Sequence, residues 1–126
     1  MFNILLVATG GATGAVLRYI LTNLSKILFT SSIYGTLSVN ILGSFLIGYL
    51  ISIVNTKNFS EDFIKFFLII GFLGSFTTFS SFSYEAIELF SSSKIFISLF
   101  LIILSVTLCI FAAFLGMYIN KLWLRF

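Results

Sequence analysis

The placement of charge along the chain restricts it to one kind of solvent. No charged side chain falls within residues 1–17, 27–56, 66–84 or 95–120. Runs of this kind belong in lipid, because a bilayer-spanning helix needs roughly 20 predominantly apolar residues. With the charges as boundaries, the spans are read as about 2–24, 34–54, 63–90 and 95–120, one four-helix transmembrane domain over residues 1–126. Composition agrees: 60% of residues are hydrophobic, 9% are charged, and the mean hydropathy is +1.18, outside the range of soluble domains. No basic segment precedes residues 2–7 and the apolar stretch continues past Arg18, so a cleaved signal peptide is not expected.

The same numbers exclude several functions. With no histidine and a single cysteine, Cys109, neither an internal disulfide nor a clustered transition-metal site is available, and the usual acid/base is missing. A net charge of +3 built from so few residues, placed at the span borders, leaves no nucleic-acid partner. The hydrophilic hinge NTKNFSEDFIK separates the second and third spans; Ser60 is suited to cap the next helix, with Glu61 and Asp62 in its first turn.

Orientation is not fixed by charge. With four spans, one face carries Lys57, Lys65, Lys121 and Arg125 and the other Arg18, Lys26 and Lys94. Because an excess of Lys and Arg on the cytoplasmic side sets topology, this near balance points to insertion in both directions, and so to an antiparallel, dual-topology homodimer with its two-fold axis in the membrane plane.

The third span contains GSFTTFSSF, residues 74–82. Gly71 and Gly74 weaken a helix there, and Ser75, Thr77 and Thr78 compete for backbone hydrogen bonds, so a break near residues 74–78 is expected in mid-membrane. Backbone groups without helical partners persist at that depth only when buried in protein or facing water or an ion. Two readings follow from the residues: carbonyls enclosing a cation such as sodium, or a glycine kink patched by hydroxyls. In the second span Thr36, Asn40, Ser44 and Gly48 recur every four residues and share a face. Small residues there allow close helix packing, whereas the Asn40 amide needs a hydrogen-bond partner or a wet path. In the fourth span Ser98, Ser105, Cys109, Ala112 and Gly116 line one side. Phe79 and Phe82 are either packing residues or rings whose positive edges meet an anion. Asn40 N–H and the Ser80 and Ser81 hydroxyls would extend such a line of weak donors, suited to an ion that must also leave. Arg18 fits either a border position or an anion-attracting one at a pore mouth.

Three segments, GGATGAVLRY (10–19), TLSVNILGSFLIG (36–48) and GFLGSFTTFSSFSYE (71–85), resemble in order and spacing the Fluc/CrcB family of fluoride channels. The resemblance implies a dual-topology homodimer in the bacterial inner membrane, with two fluoride pores that export fluoride passively and a structural sodium ion that is not transported. By position it implies that the Gly74 and Thr77 carbonyls bind sodium and that Phe79, Phe82 and Asn40 line the pore. Ser80, Ser81 and Ser105 would join a polar track, with Glu85 and Arg18 near the pore mouths. Leu101 departs from relatives that carry tyrosine there. A small multidrug exporter also has four spans, but its proton coupling needs an embedded carboxylate, and no Asp or Glu precedes Glu61. A purely structural subunit would leave Asn40 and the Thr and Ser cluster unexplained.

Overall fold

The computed structural model describes residues 1–54 and 62–123. The Ser60 cap, and the Lys57, Glu61 and Arg125 charges counted above, lie outside the described residues. The described chain is helical, with four stretches long and apolar enough to cross a membrane: Phe2–Phe29, Ile33–Val54, Phe63–Ser91 and Ile95–Leu122.

Helix α1 (Phe2–Phe29) runs past the expected end at residue 24, because Ile27, Leu28 and Phe29 prolong the apolar surface and Lys26 sits in the last turn, where the helix dipole favours a cation. Thr30 ends it in the left-handed region at φ 59°. The Ser25 hydroxyl donates to the Ser31 carbonyl at 2.8 Å, tying down a three-residue turn into α2 (Ile33–Val54). The third span is not a uniform helix. It winds as a π-helix over Phe63–Leu73, tightens to a single α-turn, α3 (Gly74–Phe76), and loses helical geometry at Thr77 and Thr78. It resumes as α4 (Phe79–Ser91), and α5 (Ile95–Trp123) follows after a short turn. Thr77 and Thr78 have ψ angles of 152° and 118°, so extended backbone interrupts the path where the Gly, Thr and Ser content is highest.

Two parallel pairs of helices form the frame. Against α5, α2 packs so closely that a Cβ at Gly48 would overlap the Ala113 carbonyl and one at Gly116 the Phe45 carbonyl. Further along the same seam, Asn120 Nδ2 donates to Ser52 Oγ at 3.1 Å, both side chains being buried. On the other side α1 lies along the π-helix, with Gly10 against the Phe67 carbonyl and Gly14 against that of Phe72. Small residues at helix crossings allow such approach where no hydrophobic effect drives association. Val39, Leu73 and Phe76 make the core, flanked by Leu21, Leu46, Ile47, Leu50 and Phe72, directly beneath the interruption. Outside this core many large side chains, among them Ile4, Phe96, Ile103 and Phe111, are exposed, as lipid solvent permits.

Candidate ion-conduction site

The interruption is held open by side chains. In a continuous α-helix the Thr78 N–H would bond the Gly74 carbonyl and the Ser81 N–H that of Thr77. Here the Thr78 N–H donates instead to Asn40 Oδ1 at 2.8 Å, and Asn40 Nδ2 returns a hydrogen bond to the Thr78 carbonyl at 3.1 Å. The Ser81 N–H donates to Thr78 Oγ1 at 3.1 Å, so Thr78 caps α4 with its own side chain. The carbonyls of Gly74 and Thr77 are thereby deprived of their regular donors. A third carbonyl of the break, that of Ser75, is met by Arg18 Nε from α1 at 3.1 Å.

Around the break lies a cavity of about 370 Å³ lined by residues of α2, the third span and α5. It brings together Asn40, Gly74, Thr77, Phe79, Phe82 and Ser105, six of the site residues named from the sequence, with Ser44, Gly43 and Cys109 beside them. The Phe79 and Phe82 rings are 5.4 Å apart and tilted by 52°, an arrangement in which one ring's edge approaches the other's face. Their exposures differ: Phe82 is 7% exposed and Phe79 76%. Ser80 and Ser81 do not line the cavity; their hydroxyls lie 3.0 and 3.2 Å from Thr78 Oγ1, in the cap that starts α4. Ser105 is buried at the cavity wall.

Arg18 and Glu85 are apart from the cavity lining. Arg18 is occupied with the Ser75 carbonyl, while Glu85 is buried and accepts a hydrogen bond from the Thr36 hydroxyl at 2.7 Å, joining α4 to α2. Thr36 was visible in the sequence as the start of the polar face of α2, but its partner lies 49 residues away and has no local signal. Gly43 was missed too. A Cβ there would overlap Thr77 Cγ2, so the glycine makes room for the extended turn, and its only trace in the sequence is its place three residues after Asn40.

The break has an electrical consequence. The α4 N-terminus presents the amides of Phe79 and Ser80, ahead of the capped Ser81, at the positive end of a helix. The segment before it ends in carbonyls at the negative end of another. One interruption therefore offers an anion-attracting and a cation-attracting terminus a few residues apart. Among the described residues no group of three or more His, Cys, Asp and Glu gathers, so a cation here would be held by backbone oxygen, a hard donor that fits an alkali ion.

Known proteins of the same kind exist. The family described as "CrcB-like protein, Camphor Resistance (CrcB)" matches residues 5–117. A protein of Agrobacterium fabrum named fluoride-specific ion channel FluC is 44% identical over 96% of this chain and 98% of its own. A protein of the same name from Campylobacter jejuni is 48% identical over 94% of this chain and 97% of its own. A third, from Dehalococcoides mccartyi, is 44% identical over 97% and 95%. Likeness over nearly the full length, together with four apolar helices, makes this a multi-pass bacterial membrane protein and a non-enzymatic one. The chain belongs to the CrcB family.

Proposed function

We propose that this chain is a fluoride-selective channel that lets fluoride leave the cell down its electrochemical gradient, working as an antiparallel homodimer around a structural sodium ion. The observation that carries the reading is the helix interruption at Thr77 and Thr78, whose amide end meets a cavity lined by Asn40, Phe79, Phe82 and Ser105. Weak donors, ring edges and a helix N-terminus favour an anion without binding it too tightly to release. The names of the relatives point to fluoride and do not favour the multidrug exporter. A second copy is supported by what one protomer leaves open: the Phe79 ring beside the cavity is 76% exposed, and Gly74 is exposed as well. The near balance of basic residues between the two faces supports an antiparallel one. The break would lie in mid-membrane, within the span Phe63–Ser91.

Fluoride is small and strongly hydrated, so a pore that favours it must offer several close donors in a space too tight for chloride. Liposomes carrying the protein are expected to release fluoride rapidly and chloride negligibly when an ionophore shunts the charge. Comparable chloride release would remove the proposed lining.

Sodium would be held by the Gly74 and Thr77 carbonyls, contributed by both subunits at the two-fold axis. These are the oxygens whose helical donors are diverted to Asn40 and to the Thr78 hydroxyl. Once a second subunit covers this region, each carbonyl stripped of its cation would cost about 1–3 kcal/mol, so the ion should stay in place and not travel. At fixed fluoride, a sodium gradient is expected to leave the reversal potential unchanged, while prolonged exchange of sodium for a bulky organic cation weakens the flux. A reversal potential that follows sodium would mean coupling and would end the structural-ion reading.

A further inference from the structure

The C-terminal half of α5 has two unlike sides. Ala112, Gly116 and Asn120, four residues apart, are buried against the rest of the fold. Phe111, Phe114, Tyr118 and Lys121, three or four apart on another side, are exposed together with Leu115. With Met117 they line a groove of about 340 Å³ that holds one charge, Lys121, and no acid. Its length indicates an occupant. From Phe111 to Lys121 the helix advances ten residues, about 15 Å at 1.5 Å per residue, which is half of a hydrocarbon core roughly 30 Å thick. The groove therefore runs through one leaflet, and its polar end falls at the border where Tyr and Lys meet headgroups. Charge disfavours a second copy packed here through the same helix. A parallel α5 would set Lys121 against Lys121, and an antiparallel one would bring Lys94 to the same border. The α5 C-terminus adds roughly half a negative charge, less than the full positive charge of Lys121, so this end of the groove attracts an anion.

We propose that this groove binds an anionic phospholipid, with one acyl chain along Phe111, Phe114, Leu115 and Met117 and the phosphate at Lys121 and Tyr118. The Lys121 stem lies along the apolar wall while its ammonium reaches the headgroup. There the ammonium and the Tyr118 hydroxyl donate to phosphate oxygens, and hydrogen bonds to an ionised acceptor are the stronger kind. A zwitterionic lipid offers the same phosphate but carries its own cation beside it. The single unopposed lysine therefore selects for an anionic headgroup, and the aromatic wall holds whichever chain follows.

The test is native mass spectrometry of the full-length protein, released from micelles doped with equal amounts of dioleoylphosphatidylglycerol and chain-deuterated dioleoylphosphatidylcholine. The deuterium separates the two lipid masses. The protein is expected to retain the glycerol lipid over the choline lipid by about fivefold, the effect that one basic residue near an anionic headgroup supplies. Lys121→Gln should bring that ratio close to one. Lys94→Gln, at the other end of α5 and outside the groove, should leave it unchanged. Phe114→Ala keeps the charge but opens the wall, so it should retain fewer lipids of both kinds. A parent ratio near one, a Lys121→Gln ratio no lower than that of Lys94→Gln, or retention by Phe114→Ala equal to the parent's would overturn the proposal. A larger dimer population in Lys121→Gln with unchanged bound lipid would give the groove to a second copy and equally end the lipid assignment.

Discussion

Asn40→Asp is expected to reduce fluoride flux by roughly 100-fold or more, equivalent to about 2.7 kcal/mol at the limiting barrier. Asn40 is bonded to Thr78 at both ends of its amide: Oδ1 accepts the Thr78 N–H at 2.8 Å, and Nδ2 donates to the Thr78 carbonyl at 3.1 Å. Aspartate can keep the first bond and must lose the second, because an ionised carboxylate only accepts. The substituted oxygen would then face the Thr78 carbonyl oxygen with no proton between them, and a negative charge would stand on the wall of the cavity proposed to conduct the anion. The break and the ion path are therefore injured together. Asn40→Ala, which removes the clamp without adding charge, should be milder in flux and comparable in stability. Liposome fluoride efflux and thermal unfolding of both variants separate the effects; an Asp variant that conducts like the parent would show that the amide faces away from the path.

Much of this site was legible because its signals are local. Glycine and hydroxyl residues concentrated in one apolar run marked the interruption, and the polar residues every four along α2 marked the face that meets it. The need of an amide in an apolar span for hydrogen-bond partners is legible at Asn40, and the partner it has in the structure is the Thr78 backbone. Ser80 and Ser81, expected from local signals to join the polar track, have their hydroxyls at the Thr78 cap, and Thr78 itself lines the cavity. Pairings across the fold left no trace in sequence: Arg18 with Ser75, Thr36 with Glu85, and Asn120 with Ser52 are each decided by which helices become neighbours. The π-winding of Phe63–Leu73 was equally hidden. A widened helix shows no distinct periodicity in a segment that is apolar on every side.

The seam between α2 and α5 is where a single methyl group should do most harm to stability. A Cβ at Gly48 would overlap the Ala113 carbonyl, and one at Gly116 that of Phe45, with the Tyr49 amide nitrogen 3.0 Å away. Those neighbours are backbone, so no side-chain rotation relieves the clash and the helices must move apart. Alanine is favoured over glycine in a helix by about 1 kcal/mol, which works in the opposite direction. Overpacking of a close contact costs about 1–3 kcal/mol and sometimes more, and separation would also strain the buried Asn120 to Ser52 hydrogen bond further along the same seam. The clash outweighs the propensity, so Gly48→Ala and Gly116→Ala are each expected to lower stability by about 1–2 kcal/mol net. The larger Gly48→Val should fail to assemble. Flux should suffer in the surviving variants, because Asn40 and Ser44 on α2 face Ser105 and Cys109 on α5 across the cavity. Gly11→Ala is the control: its nearest neighbour is the Ser75 hydroxyl at 3.2 Å, the end of a side chain that can turn away. Thermal unfolding in detergent should therefore rank Gly11→Ala well above the two seam variants. An equal ranking, or a stabilised Gly48→Ala, would show that α2 and α5 do not approach this closely in the membrane.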